Sequence, residues 1–305
     1  MHDGWFEEDT THGPVRVDTF DDSRPHEGKV LGIVQAHADD MPLCSGGLVA
    51  KLVAEGYKAF IIQTTNDEKC GPGSSGDAIK SNEVDVDALA KSLGIEDVFN
   101  LGYRNHRQEE NSMLEQRCRL IFLFRHLQVD TVMSFHPWAR WEENPDHYIT
   151  GQLVESACWM AGMGKDYPEQ VQAGMKPHGV RDKYYWVMRP GSPYNHVTDI
   201  APFLGEKIAS MSTNKSQGPA GAHGRRLKER LAKEGLKLPE FGDDDEEADR
   251  AYIRLFGMEE HKRMGKPYDL EYAEYHYYFP PGGTFPYHDT AGKIDAYVKD
   301  NAVKL

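Results

Sequence analysis

The stretch VLGIVQAHADD, residues 30–40, joins an apolar segment to a histidine and two aspartates. Val30 to Ala36 is almost wholly apolar, which predicts a strand that is buried on both faces of a sheet. His37, Asp39 and Asp40 follow within four positions, and core packing does not explain such a group at a strand end. Imidazole and carboxylate together are typical of a metal site with one carboxylate to spare.

The segments after this stretch alternate between strand and helix, which predicts a mostly parallel sheet. Right-handed crossovers would place helices on both of its faces, so we expect a Rossmann-like, doubly wound α/β fold. Apolar spacing places further strands at 57–65, 97–101, 131–135, 183–188 and 196–200, and helices at 47–55, 78–93, 113–127, 148–163 and 202–212.

The domain organisation follows from where this regular pattern begins and ends. Residues 1–28 are polar and predict an irregular N-terminal arm, and residues 29–305 predict one α/β domain with its catalytic core at about 29–217. Residues 218–305 form a C-terminal helical extension that contains an aromatic strand at 272–279. We expect this strand at a sheet edge or a subunit contact, and we expect a homo-oligomer.

Composition excludes several classes of partner. The chain has 305 residues and a formal net charge of −14, which argues against nucleic acid as the main partner. No stretch reaches the roughly 20 apolar residues of a membrane span, and the acidic N-terminus does not resemble a signal peptide. The four cysteines are scattered without a CxxC pair. We therefore expect a cytoplasmic protein that acts on a small molecule.

A second polar cluster, Asn144-Pro145-Asp146-His147, follows the strand predicted at 131–135. In doubly wound sheets the ligand crevice lies at the carboxyl ends of the strands, where both clusters fall. His37 and Asp40 are three residues apart and can reach one ion, with His147 as the third ligand. Asp39 then stays close enough to act as a general base.

Other residues near these strand ends are further candidates for the site, and most of them have two interpretations. Asp146 can orient a ligand histidine from behind it. His136 and Trp138 belong either to an ordinary loop or to a pocket wall close to the metal. Arg104 and His106, with Arg107 beside them, form either a solvated loop or a binding site for a substrate carboxylate or phosphate.

His37-Ala38-Asp39-Asp40 together with Pro145-Asp146-His147 resembles the motifs of the PIG-L/LmbE-like zinc deacetylases. The resemblance covers roughly residues 29–217. It implies that His37, Asp40 and His147 bind Zn²⁺ and that Asp39 is the general base. It also implies a metal-dependent amidohydrolase that cleaves linear amide C–N bonds, in which metal-bound water removes an acyl group, first of all acetyl, from an N-acylated amino sugar such as N-acetylglucosamine or a related conjugate.

Three positions depart from the family pattern. Asn144 replaces a histidine that helps to stabilise the oxyanion or to protonate the leaving group, Asn105 replaces an aspartate, and Lys80 replaces an arginine. Asn144 can still donate a hydrogen bond to an oxyanion. The acid role then passes to His136, to Asp39 or to another residue.

Alternatives remain open at this point. The same superfamily contains 4-oxalomesaconate hydratases, so a metal-dependent hydratase of an unsaturated carboxylate is the second candidate, and a non-catalytic metal- or ligand-binding protein is the third. Convergence of Arg104, His106 and Arg107 on the metal favours an acidic substrate, whereas exposure of these residues favours a neutral sugar amide. Fe²⁺ or Mn²⁺ also suits imidazole and carboxylate ligands.

Overall fold

The computed structural model describes residues 11–189, 191–218, 221–280 and 290–303. These residues form one mixed sheet with helices on both faces. The strands are β1 Thr11–Asp18, β2 Val30–Gln35, β3 Lys58–Thr65, β4 Asp97–Tyr103, β5 Thr131–Phe135, β6 Asp182–Trp186, β7 Tyr194–Asp199 and β8 Ala273–Phe279. The α-helices are α1 Asp40–Ala54, α2 Ser75–Ser92, α3 Met113–Leu127, α4 Pro145–Met160, α5 Pro168–Gln172, α6 Leu204–Thr213, α7 His223–Lys233, α8 Asp245–Tyr252, α9 Glu259–Gly265 and α10 Thr290–Asn301.

The strand order confirms the predicted doubly wound sheet. The order is β1-β7-β8-β6-β5-β2-β3-β4, and every pair is parallel except the two that involve β8. From β2 the chain builds outward through β3 and β4, and from β5 it builds the other way through β6. The topological switch point therefore lies between β2 and β5, which is where such folds bind ligands.

The two faces of the sheet bury separate apolar layers. Ile33 of β2 lies in the layer that includes residues of α1 and α2, whereas its neighbour Val34 lies in the layer that includes residues of α3 and α4. Both side chains are fully buried. The almost continuous apolar character of β2 thus has its physical cause in a helix layer on each side.

Helices α1 and α4 begin earlier than their apolar spacing indicates. Helix α1 begins at Asp40, not at residue 47, and α4 begins at Pro145, not at residue 148. The Asn144 side chain accepts the backbone N–H of Asp146 and caps α4, and Pro145 suits the first helical position. As a result, two of the three predicted ligands, Asp40 and His147, lie in the first turns of helices.

The expectation of an irregular arm is wrong for residues 11–18. They form β1, which pairs in parallel with β7 at the edge of the sheet, while residues 1–10 lie outside the described part. None of residues 14–18 is buried, so the sequence of this strand needs no apolar alternation, and its edge position tolerates Pro14. The division of the chain into an arm, a core and an extension stays a prediction.

The expectation of an edge position for the aromatic strand is also wrong. Strand β8 lies between β6 and β7 and is antiparallel to both. Its tyrosines suit this place because the pairs Tyr184–Tyr278 and Tyr194–Tyr275 pack ring on ring across the neighbouring strands, at 4.7 and 4.2 Å between centroids. The C-terminal extension therefore completes the sheet. No α-helix in the described ranges is long and apolar enough to cross a membrane.

Close packing of α4 on the end of β5 generates a prediction for Gly151. A Cβ atom there would lie 2.9 Å from the carbonyl oxygen of Phe135. Because that neighbour is backbone, Gly151→Ala should push α4 away from β5 and destabilise the fold by about 1–3 kcal/mol. The measurement is the thermal unfolding midpoint. The matched control is Gly205→Ala in α6, where a Cβ meets no atom within 4 Å and we expect no loss. Equal midpoints for both variants would contradict the packing argument.

Candidate metal centre

Two neighbouring strands bring the predicted ligands together. His37 follows the carboxyl end of β2, and Asp40 opens α1 directly after it. His147 lies in the first turn of α4, which the chain reaches through the loop after β5. Since β2 and β5 pair in parallel, both sequence clusters arrive at one edge of the sheet. All three side chains are buried.

The donor atoms of His37, Asp40 and His147 face one another. The His37 Nδ1 and His147 Nε2 atoms are 3.2 Å apart, and His147 Nε2 lies 3.2 Å from an Asp40 oxygen. One donor atom of each residue lies within 4.8 Å of those of the other two. Two imidazole nitrogens and a carboxylate that converge in this way fit one shared cation, and this donor set suits zinc.

The contacts among the three residues shift the pKa of each of them. Burial lowers the pKa of His147, but the Asp40 carboxylate reverses this effect and the pKa rises to about 9. The pKa of His37 is likewise raised well above its ordinary value, against burial, mainly by Asp40. Burial would raise the pKa of Asp40, yet His37 and His147 hold it well below its usual range. The centre therefore stabilises positive charge.

Each of the two imidazoles has a carboxylate next to its second ring nitrogen. His37 Nε2 lies 3.1 Å from Asp146, which also accepts hydrogen bonds from the Asn105 side chain and the His106 backbone N–H. His147 Nδ1 lies 3.3 Å from a carboxylate oxygen of Glu142. Such partners fix the tautomer and the orientation of a ligand histidine, so that its other nitrogen faces the metal.

Backbone groups hold the Asp40 carboxylate. One of its oxygens accepts the N–H groups of Ala36 at 3.0 Å and His37 at 2.6 Å. The side chain of Asp67, at the end of β3, accepts the N–H of Ala38 at 2.9 Å. The strand-to-helix turn is therefore held by two carboxylates, one from within it and one from the next strand.

Asp39 is next to Asp40 in sequence, but it is not one of the three residues whose ligand atoms converge. It is half-buried at the amino end of α1 and makes no side-chain capping bond there. Burial and the neighbouring Asp40 charge raise its pKa to about 6. A carboxylate with a pKa near neutrality, close to a metal centre, is suited to proton transfer.

Asn144 reaches the centre, whereas His136 packs elsewhere. The Asn144 amide nitrogen lies 3.3 Å from His147 Nε2, while its oxygen caps α4. His136 accepts the backbone N–H of Trp138 and packs its ring edge against Tyr185 and Tyr277, with centroids 5.5 and 5.7 Å apart. Among the described residues, His136 belongs neither to this group nor to the second group that could hold a metal, which is His37, His106 and Asp146.

The proposed substrate residues separate in the same way. His106 lies near the centre, with its ring centroid 6.3 Å from that of His37. Arg104 turns to Glu68 at 2.8 Å, and Arg107 forms an ion pair with Glu110. Trp138 is 74% exposed on the loop between β5 and α4. Of Arg104, His106 and Arg107 on the loop after β4, only His106 lies close to the centre.

Sequence reasoning missed Asp67 and Glu142. Asp67 is fully buried, and its position at the carboxyl end of β3 is the signal that would have found it. Glu142 stands beside Glu143 in what reads as a solvated acidic pair, so no local pattern marks it. On α2 the inward-facing polar residues are Asn82 and Asp85, which bond to the segment 216–217, whereas Lys80 is exposed.

A cavity of about 850 Å³ lies away from this centre. Its lining includes Asp18, Lys51 and Glu55 and none of the residues of the cluster. The Lys51 ammonium group already pairs with Asp18 at 2.9 Å and with Glu55 at 2.8 Å. These charges satisfy one another, so the cluster of His37, Asp40 and His147 is the better candidate for chemistry.

The position of Glu142 behind His147 generates a prediction. Glu142→Gln should weaken zinc binding about 10- to 100-fold, because loss of the carboxylate removes the charge that orients the ligand imidazole. Competition with a chelating dye measures the dissociation constant. Glu143→Gln is the matched control, since the side chain of Glu143 is 86% exposed, and it should bind zinc as the wild type does. Equal weakening in both variants would refute the role of Glu142.

Comparison with known proteins agrees with this geometry. Residues 33–158 match the model of the PIG-L family, described as GlcNAc-PI de-N-acetylase. The diacetylchitobiose deacetylase of Thermococcus kodakarensis is 25% identical over 198 residues, which are 63% of this chain and 70% of that protein.

Two solved structures share the fold. The N,N'-diacetylchitobiose deacetylase from Pyrococcus horikoshii superposes with a TM-score of 0.67 at 19% identity, over 89% of this chain and 92% of that one. The 4-carboxy-2-hydroxymuconate hydratase GalB from Pseudomonas putida gives 0.59 at 17% identity, over 84% and 98%. The resemblance predicted from the two motifs is confirmed, since residues 33–158, which hold both polar clusters, match the PIG-L family model.

Proposed function

We propose that this protein is a metal-dependent hydrolase that removes an acyl group from an N-acylated amino sugar or a related small conjugate. Acetyl is the first candidate for this acyl group. The observation that carries the proposal is the buried convergence of His37, Asp40 and His147, with Asp39 beside it. The match of residues 33–158 to the PIG-L family model and the deacetylase activity named for the Thermococcus relative support it.

The ligands we propose are His37, Asp40 and His147, with Zn²⁺ as the native metal. When bound, the ion would lower the pKa of water and polarise the carbonyl of the amide. Two nitrogen donors and one oxygen donor are typical of catalytic zinc sites, which leave one position for water or substrate. We keep Fe²⁺ and Mn²⁺ as alternatives to be distinguished by metal analysis of the purified protein.

The residues around the centre have separate tasks in the proposed hydrolysis. The Asp39 carboxylate takes a proton from the attacking water, whose oxygen then bonds to the carbonyl carbon. The Asn144 amide N–H donates to the oxygen on which negative charge develops. The C–N bond then breaks, the leaving amine takes up the proton, and the products are a carboxylate and an amino sugar. Asp146 and Glu142 keep the two imidazoles oriented throughout.

The charges on the loop after β4 support a neutral substrate. An unsaturated carboxylate, the substrate of the alternative hydratase, needs cationic side chains that are free to bind it. Arg104 and Arg107 are each paired with a glutamate. The likeness to GalB is one of fold, so the paired arginines make deacetylation the stronger of the two proposals.

The setting of the reaction belongs to the same proposal. All four cysteines are free, which suits a reducing cytoplasm. The net charge of −14 suits a small carbohydrate better than a nucleic acid. We keep a homo-oligomer as a prediction, and size-exclusion chromatography with light scattering is the measurement that tests it.

Asp39→Asn tests the catalytic step. The variant keeps the shape of the side chain and all three ligands, so it should bind zinc normally and release acetate about 10²- to 10⁴-fold more slowly than the wild type. The assay measures acetate release from a panel of N-acetylated amino sugars, with the metal content determined on the same samples. Asp87→Asn, an exposed carboxylate on α2, is the control.

Three outcomes of this assay would count against the proposal. Zinc-loaded wild type that releases no acetate from any sugar would reject the deacetylase. Hydration of an unsaturated dicarboxylate by the same sample would support the hydratase instead. Loss of zinc in Asp39→Asn with retention in Asp40→Asn would show that the ligand and base roles are exchanged.

Trp138 generates a prediction about substrate binding. Its exposed ring lies on the loop that leads from β5 to Asn144, where it can stack on a sugar face. A stacked contact is worth about 0.5–1.5 kcal/mol, so Trp138→Ala should raise KM about two- to tenfold at unchanged kcat. Trp159→Ala is the matched control, since Trp159 is 68% exposed near the other end of α4. An unchanged KM in Trp138→Ala would remove this residue from the site.

A further inference from the structure

Helix α1 is broken one turn after Asp40. Ser45 has φ −149° and ψ 15°, which lies outside the helical region. The second part of the helix therefore begins again at Gly46 and Gly47. The first N–H groups of any helix lack partners within it, and at a buried break water cannot supply them. Ser45 is fully buried and both glycines are buried, so other side chains must complete the break.

Glu274 of β8 supplies the missing acceptors. Its carboxylate accepts the N–H of Gly47 at 3.1 Å and the N–H of Leu48 at 2.8 Å. This is the geometry of a helix N-cap, although the capping residue comes from more than 200 positions further along the chain. Next to it on the same face of β8, His276 lies 2.6 Å from the Ser45 hydroxyl.

Lys207 of α6 joins the two parts of the helix. Its ammonium group donates to Glu274 at 2.7 Å and to the carbonyl oxygen of Leu43 at 2.8 Å. Leu43 precedes the break, and the groups that Glu274 holds follow it. The pair Lys207–Glu274 therefore clamps the break from both sides. Both side chains are essentially inaccessible, at 0% and 1% exposure.

The two glycines let the clamp approach this closely. A Cβ at Gly46 would lie 2.6 Å from the Ser210 hydroxyl and 3.2 Å from the Lys207 stem. A Cβ at Gly47 would lie 2.6 Å from a methyl carbon of Ile200. Three elements thus enclose the break, namely α6, the end of β7 and β8.

We propose that Glu274 and Lys207 are positioning residues for the metal centre. They fix the direction of the first turn of α1, and so the place of Asp40 among the ligands and of Asp39 beside them. A buried ion pair often adds no stability over apolar residues of the same size, and this one also ties the two parts of α1 together. The kinetic part of this inference rests on the proposed deacetylation, and the part that concerns zinc binding does not.

Two double variants test the clamp without leaving a lone buried charge. Lys207→Met with Glu274→Leu removes both the ion pair and the capping oxygens. Lys207→Met with Glu274→Gln removes the ion pair but keeps one oxygen that can accept a backbone N–H. The control is Lys183→Met with Glu155→Leu, which removes another lysine–glutamate pair, at 2.9 Å, between β6 and α4.

Each variant is assayed in three ways: the thermal unfolding midpoint, the Zn²⁺ dissociation constant by dye competition, and kcat and KM for acetate release. In the Leu variant we expect the Zn²⁺ dissociation constant to rise about tenfold or more. We also expect kcat of the zinc-saturated enzyme to fall about 10- to 100-fold at nearly constant KM. The Gln variant should recover only the part of both losses that comes from the capping oxygens, and the control should match the wild type.

A Leu variant with a lower unfolding midpoint but wild-type zinc affinity and kcat would overturn the proposal, because the clamp would then be structural only. Equal losses in the Leu variant and in the control would also overturn it. If the wild type releases no acetate, the proposed function fails, and the zinc affinities still decide the role of the clamp.

Discussion

The Asp40 carboxylate, buried between two imidazoles, is the contact on which the rest of this centre depends. Removing a carboxylate from water costs several kcal/mol unless other groups compensate for its charge. Here two backbone N–H groups and the nitrogens of His37 and His147 do so. These partners come from the turn directly after β2 and from α4. The contact therefore exists only when the β2–β5 register is correct.

Carboxylates outnumber imidazoles around this contact, and this excess of negative charge favours the binding of a cation. Two imidazoles face the carboxylates of Asp40, Asp146 and Glu142, and Asp39 and Asp67 lie close by. Burial raises the pKa of Asp67 to about 7 and that of Asp39 to about 6, because further negative charge is costly there. A divalent ion at the point where the ligand atoms converge would relieve this repulsion and let the histidines remain neutral ligands.

The candidate centre could be predicted from the sequence because its residues obey a local rule. Polar residues directly after apolar strands meet at one edge of a parallel sheet, and this brought His37, Asp40 and His147 together. The bounds of α3 and β5 also agree with the pattern, since apolar spacing alone defines them. The start of α4 was predicted too late because a polar cap begins this helix before its apolar periodicity does, and the start of α1 because the break at Ser45 interrupts its periodicity.

Features that depend on distant partners could not be read in this way. The position of β1 at the edge and of β8 within the sheet follows from pairing with strands far away in the sequence. Glu142 looks like any exposed glutamate until α4 brings His147 against it. The break in α1 has the same character, because an apolar helix that contains Gly46 and Gly47 gives no sign of the lysine and glutamate that enclose it.

Asn144 decides how protons move in the proposed hydrolysis. An amide side chain donates hydrogen bonds but does not exchange a proton near pH 7. His136, the other candidate acid, packs against Tyr185 and Tyr277. The leaving amine nevertheless needs a proton, and Asp39 holds the one it took from water. Its pKa, raised by burial and by Asp40, suits both taking and returning that proton. One carboxylate then serves as base and acid in turn, which fits an Asp39 that is half-buried and does not cap its own helix.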